Sequence, residues 1–191
     1  MVPFTPIDPN SAAGIAVAKV QSFNPPGVTP ANSQDFINQI LADAGANPGD
    51  PWCASFESWA FRQAAKNGAA GDTFHYDAGT QDLLRWLNAN CPAKVTANPQ
   101  DVLGMGGAIF IATDAGDPDH GHTGFIINRL LDADGNIAAF ITCEGNTTDP
   151  DGILGDGAFI KLRHVANMGP ASGWSAVHYV NVEGFTGGKS W

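Results

Sequence analysis

A change of hydrophobic period near Pro99 constrains the fold of this chain more than any other feature. Before it, apolar residues recur at helical spacing; after it they fall into short runs bounded by Gly, Asp and Asn. Residues 11–23 read as a helix ended by the breaker cluster Asn24-Pro25-Pro26-Gly27. Ser33 reads as the N-cap of a second helix that carries Phe36, Ile37, Ile40 and Leu41 and stops at Gly45. A third runs from near Pro51 to about Asn67, stopped by Gly68, and a fourth spans roughly 79–89. Five runs, 107–113, 122–131, 136–143, 158–165 and 174–182, then read as strands joined by hairpin-like turns. This order predicts an α+β domain, with N-terminal helices packed on a five- to six-stranded antiparallel sheet. With 191 residues, no internal repeat and no dividing linker, one domain over 1–191 is expected.

Within that frame the stretch DPWCASFESW (50–59) stands out. Asp50 can cap the third helix and Pro51 suits its first position, which puts Cys53 in the first turn. There, unsatisfied backbone N–H groups and the positive end of the helix dipole favour a thiolate. Phe56, Trp59, Ala60 and Ala64 follow at helical spacing and give the helix an apolar face for the sheet. The alternative is a small buried hydrophobe, the commonest fate of a free cysteine. Three cysteines, Cys53, Cys91 and Cys143, form neither a disulfide framework nor a CxxC zinc pattern.

A nucleophilic thiol needs a base, and two of the five histidines flank a glycine in DHGHTGF (119–125). His122 opens the strand, where the backbone holds a side chain firmly, whereas His120 remains in the loop. His75, His164 and His178 lie in a loop or in apolar strand patterns and read as structural. The strand from 122 turns at Asp132-Ala133-Asp134-Gly135 and returns through 136–143. Registers that pair His122 with Glu144 or with Asn146 differ by two residues. Both therefore place all three side chains on one face, and a one-residue slip removes them together. A carboxylate there would accept from His122 and orient its ring toward the thiol.

PWCASFESW, followed by HTGFII and then EGN, resembles the CHAP family of cysteine, histidine-dependent amidohydrolases and peptidases, within the papain-like NlpC/P60 group. The resemblance covers about 33–182 and rests on the order and spacing of the three motifs. It implies the papain-like fold, with Cys53 as nucleophile, His122 as base, Glu144 orienting the histidine and Asn146 at a further polar position of the active site. Trp52, beside the cysteine, is the candidate substrate contact. The chain departs from the family at Glu57, where an apolar residue is usual, and in GGAIF, which lacks an acidic residue beside the glycine.

The resemblance implies hydrolysis of amide bonds in bacterial peptidoglycan, as amidase or endopeptidase, with no metal or organic cofactor. An alternative is a non-catalytic wall-binding or virion structural protein that keeps the fold. Another is a metal-dependent hydrolase built on His120, His122 and Glu144. DADGN (132–136) reads as an Asp-Gly turn rather than a calcium loop, since it lacks the EF-hand spacing. Asn146-Thr147-Thr148 matches a glycosylation sequon that would go unused without secretion.

A formal net charge of −10, with nine scattered Lys and Arg, argues against nucleic acid or an anionic membrane as partner. No apolar run approaches the ~20 residues of a membrane span. MVPFTPIDPN shows no signal-peptide pattern. The expectation is synthesis in the cytoplasm and action on the cell wall or periplasm. Delivery would be by holin release as a phage lysin, by a virion, or by a secretion system as an antibacterial effector, and an effector would bring an immunity protein as partner.

Overall fold

A computed structural model describes residues 7–23, 30–68, 72–102, 106–147 and 157–187. Four helices precede most of the sheet: α1 (Ala12–Ser22), α2 (Pro30–Asp43), α3 (Cys53–Lys66) and, after the short strand β1 (Asp72–Phe74), α4 (Thr80–Asn90). Then come β2 (Val95–Thr96), β3 (Ala108–Asp114), β4 (Gly121–Leu131), β5 (Ile137–Thr147), β6 (Gly157–His164), β7 (Trp174–Asn181) and β8 (Phe185–Gly187). The chain is α+β, and its main sheet is antiparallel with six strands in the order β2-β7-β3-β4-β5-β6. Strands β3 to β6 form the expected meander. Strand β7 returns to pair with the free side of β3, and β1 with β8 makes a separate parallel pair that the sequence pattern did not foretell.

Both faces of the sheet are buried, but by different material. On one face Ile109, Ile111, Phe125, Cys143 and Val180 share a core with Phe56, Phe61, Leu83 and Leu87 of the helices. On the other, Ala108, Phe110, Ile126, Phe140 and Tyr179 pack with Val102 and Met168. Helix α3 drives its Phe56, Ala60, Phe61 and Ala64 edge into the first core, as its spacing predicts, and stops at Gly68 in the left-handed conformation (φ 86°).

Two helix starts differ from expectation. Helix α2 begins at Pro30, so Ser33 lies inside it rather than capping it. Proline is well suited to that first turn, where its missing N–H costs nothing. Helix α3 begins at Cys53 with Trp52 in the cap position, and Asp50 instead accepts a bond from the Asn47 N–H (2.7 Å) in the preceding turn. The cluster at 24–27 and Thr148 of the sequon lie outside the described residues.

The β4–β5 hairpin turns where expected. Asp132 Oδ1 accepts from the N–H groups of Asp134 and Asn136, and Gly135 takes φ 85°. DADGN is thus an Asp-Gly turn. Near the open end, Phe125 faces Cys143 and Ile126 faces Thr142; a bulge follows at Ile127. This register has the parity that keeps His122 and Glu144 on one face; continued past Phe125 and Cys143 it puts Gly124 opposite Glu144 and His122 opposite Asn146, the second of the two expected registers.

Candidate functional site

Cys53 is the first residue of α3. The first bond within the helix runs from the Phe56 N–H to the Trp52 carbonyl, so the N–H groups of Cys53, Ala54 and Ser55 have no acceptor inside the helix. The thiol, 2% exposed, also meets the start of a second helix: Thr80, which opens α4, places Oγ1 3.5 Å from Sγ. Two positive helix ends therefore converge on one sulfur. Burial acts to raise the thiol's pKa. A hydrogen bond with His122, its charge, Thr80 and the Ala54 N–H outweigh burial and hold Cys53 below the ordinary cysteine value.

His122, near the start of β4, donates its Nε2–H to Glu144 Oε2 at 2.8 Å, so Nδ1 is the ring nitrogen left to exchange a proton with the sulfur. Burial would lower the His122 pKa, but bonds to Cys53 and Glu144, and their charges, lift it from 6.5 to about 9. A lowered thiol beside a raised imidazole favours a thiolate–imidazolium pair.

Glu144 is wholly buried and reaches His122 diagonally across Gly124. A Cβ at Gly124 would stand 2.6 Å from Glu144 Cγ, so the glycine of HTGF is what leaves room for the contact. Arg163 of β6 grips the carboxylate with both arms, Nε to Oε1 at 2.8 Å and Nη2 to Oε2. Thr142 adds a hydroxyl donor to Oε1. Burial would raise the Glu144 carboxyl; Arg163 first, and His122 next, hold it far below the usual carboxylate range. Trp174, placed where a bulge ends the β3–β7 ladder, stacks over the His122 ring (6.4 Å, 28°) and over the Arg163 guanidinium (5.2 Å). A cleft lined by Pro51, Gly79, Thr80, Asp119, His120 and Gly121 opens beside these residues.

Of the residues singled out from sequence, Cys53, His122 and Glu144 come together. Asn146 does not hold the histidine. It adopts a left-handed backbone (φ 53°) where the β5–β6 register shifts, and Glu144 is the partner of His122. Trp52, the expected substrate contact, lies in the core beside Cys53. It is 5% exposed, packed edge-on to Phe56 and pressed against Gly145, where a Cβ would meet its ring at 2.7 Å. His120 is exposed and bonded to Asp117, and among the described residues no group of three His, Cys, Asp or Glu side chains is placed to hold a metal. All three cysteines are free thiols; burial pushes Cys143 far above the ordinary value.

Thr80, Arg163 and Trp174 were not legible as members of the site. The one signal was Arg163 itself, a cation amid an apolar strand run (AFIKLRH), with a face that depends on a register beyond residues 148–156.

No protein-family model and no curated protein matches the chain. Among solved structures it is similar to the crystal structure of Ly7917, at 16% identity and a TM-score of 0.40, over 78% of this chain and 61% of that one. The chain thus spans about three-fifths of that protein's length.

Proposed function

We propose that the protein is a cysteine hydrolase of the CHAP type that cleaves amide bonds in peptidoglycan, as amidase or endopeptidase. The observation that carries the chemistry is Cys53 at a helix start, its thiol held below the ordinary value by the neighbouring His122, whose Nε2 lies 2.8 Å from the buried Glu144 carboxylate. The substrate class rests on the resemblance of PWCASFESW, HTGFII and EGN to that family.

In this reading the Cys53 thiolate attacks the amide carbonyl carbon. The oxygen of the tetrahedral intermediate is stabilised by the Cys53 N–H at the start of α3. His122 then donates its proton to the leaving amine, the C–N bond breaks, and a thioester remains on Cys53. The neutral imidazole next accepts a proton from water as that water attacks the thioester. Collapse releases the carboxylic acid and returns the thiolate–imidazolium pair. Glu144 stays ionised throughout, because Arg163 keeps its proton affinity low, and it orients and stabilises the imidazolium.

Digestion of purified peptidoglycan, followed by mass spectrometry of the fragments, tests the reading and names the bond. Cys53→Ala and His122→Ala should each lose several orders of magnitude in rate with the fold intact, since members of such a unit fail together. His120→Ala should retain most activity. A Cys53→Ala protein that still digests peptidoglycan refutes the proposal, and the wall-binding alternative gains if wild type binds the polymer without releasing fragments.

A further inference from the structure

Glu57, where the resembled family has an apolar residue, lies one helical turn after Cys53 and is 1% exposed. Both its carboxyl oxygens stand 2.9 Å from Thr123 Oγ1, and that hydroxyl is 2.6 Å from the Phe110 carbonyl oxygen. Thr123 directly follows His122 on β4, and Phe110 lies on the neighbouring strand β3.

A hydroxyl carries one proton. The carbonyl can only accept, and it makes the shortest of the three contacts, so the Thr123 proton goes to Phe110. An ionised Glu57 would then confront the hydroxyl oxygen with acceptors alone. Giving the proton to Glu57 instead leaves a buried carboxylate on a single neutral donor. Among the described residues no cation forms an ion pair with it. A carboxylic acid resolves both conflicts: Glu57 O–H donates to Thr123 Oγ1, which donates to the Phe110 carbonyl.

We propose that Glu57 is a positioning residue that works as a neutral acid, strapping the helix that carries Cys53 to the strand that carries His122 and so holding thiol against imidazole. This rests on the reading of Cys53 and His122 as nucleophile and base. The surroundings favour the neutral form. Burial pushes the Glu57 carboxyl well above the usual range, and the hydrogen bond from Thr123 only partly offsets it. The nearby charges are Cys53 on its own helix, His122 on β4 and Glu144 on β5, and two of these three are negative when the site is charged. An ionised Glu57 would add another negative charge beside the thiolate; the neutral acid bonds without doing so.

The test reads Cys53 directly, by its iodoacetamide alkylation rate against pH in a Cys91→Ser background, where Cys143 is buried and protonated. Glu57→Gln keeps an uncharged donor for Thr123 and should alkylate at neutral pH within about twofold of the parent. Glu57→Leu keeps the bulk but loses the strap; its rate should fall about tenfold, with the midpoint moved up by about one pH unit. Thr123→Val, cutting the strap from the other side, should match it, and the double variant should be no worse than either single one. Infrared spectra at neutral pH should show a protonated-carboxyl band that Glu57→Gln removes.

The strap is overturned if Glu57→Leu and Thr123→Val keep the parent's profile, if Glu57→Gln is as slow as Glu57→Leu, or if the infrared band is missing. Faster alkylation in both Glu57 variants would reveal a carboxylate and overturn it equally. Should Glu57→Leu fail to fold, Thr123→Val decides. Alkylation requires no substrate, so a parent protein that never hydrolyses peptidoglycan defeats the proposed function without touching these rates, whereas an unshifted profile in an active enzyme defeats the strap alone.

Discussion

At the scale of single residues, the site depends on side chains that are missing as much as on those present. Gly124 lies opposite Glu144, and the absence of its Cβ lets the carboxylate cross to His122. Alanine there would meet Glu144 Cγ at 2.6 Å and the Phe110 ring at 2.9 Å, both buried groups with little freedom to yield. Gly124→Ala should therefore destabilise the protein by about 1–3 kcal/mol, as overpacking does. It should also lower the His122 pKa, because the carboxylate that helps raise it is displaced. Denaturant unfolding and NMR titration of the His122 ring check the two parts separately. An unperturbed His122 in a destabilised variant would mean that Glu144 reaches the ring by another route.

At the scale of elements, the bond between β5 and β6 carries an ionic network that no single hairpin explains. Arg163 on β6 holds Glu144 on β5, which holds His122 on β4, so three adjacent strands supply one chain of charge. Replacing the cation leaves a fully buried carboxylate with, among the described residues, only His122 as a charged partner and the Thr142 hydroxyl as a neutral donor. Arg163→Met should cost about 3 kcal/mol in chemical denaturation, since breaking one side of a buried pair strands the other charge. The Glu144 pKa should rise with it, and, under the proposed function, hydrolysis of peptidoglycan should fall further than stability alone accounts for. The double variant Arg163→Met, Glu144→Gln, which leaves no carboxylate to strand, should recover much of the stability. A double variant no more stable than Arg163→Met would show that the loss comes from packing under Trp174 rather than from charge.

At the scale of the whole molecule, the buried titratable groups set how stability follows pH. Glu144 titrates below its unfolded value near 4.5, so its contribution is complete above about pH 4.5 and is lost as pH falls through the folded value. His122 titrates above its unfolded 6.5, so its contribution is complete below about pH 6.5 and is lost as pH rises through about 9. Glu57 is raised, so the proton it retains stabilises most below about 4.5, and that help fades as pH climbs toward its folded value. The net charge of −10 adds self-repulsion in the same alkaline direction. Thermal unfolding should give a Tm that is highest between about pH 4.5 and 6.5 and declines toward pH 9, with the decline shallower in Glu57→Gln. Cys53, held below its ordinary value, gains stability as pH rises toward 9 and opposes the His122 loss. A Tm that rises from pH 6.5 to 9 would show the thiolate outweighing the raised His122 and Glu57 together and would contradict the predicted decline.

Much of this protein is legible in its sequence, and the physical reason is that the decisive patterns are local. The change from a 3.6-residue to a 2-residue period separates helices from strands without knowledge of any contact. Proline, the N-terminal turn and the run Phe56, Ala60, Ala64 place Cys53 at the start of a buried helix. The Asp-Gly turn at 132–135 marks the hairpin, but the parity that keeps His122 and Glu144 on one face is lost at a bulge between Leu130 and Leu131 and restored at a second between Ile126 and Asn128. What the tertiary structure alone decided is which of several permitted partners each group takes. Glu144 rather than Asn146 holds His122, because a side chain can cross at Gly124. Trp52 is buried, because Gly145 lets β5 press on the first turn of α3. Thr80, Arg163 and Trp174 enter from α4, β6 and a bulged β7, elements far apart in the chain. Periodicity says which way a side chain points. Which charge it meets depends on registers between distant strands, and those are set by packing the two cores together.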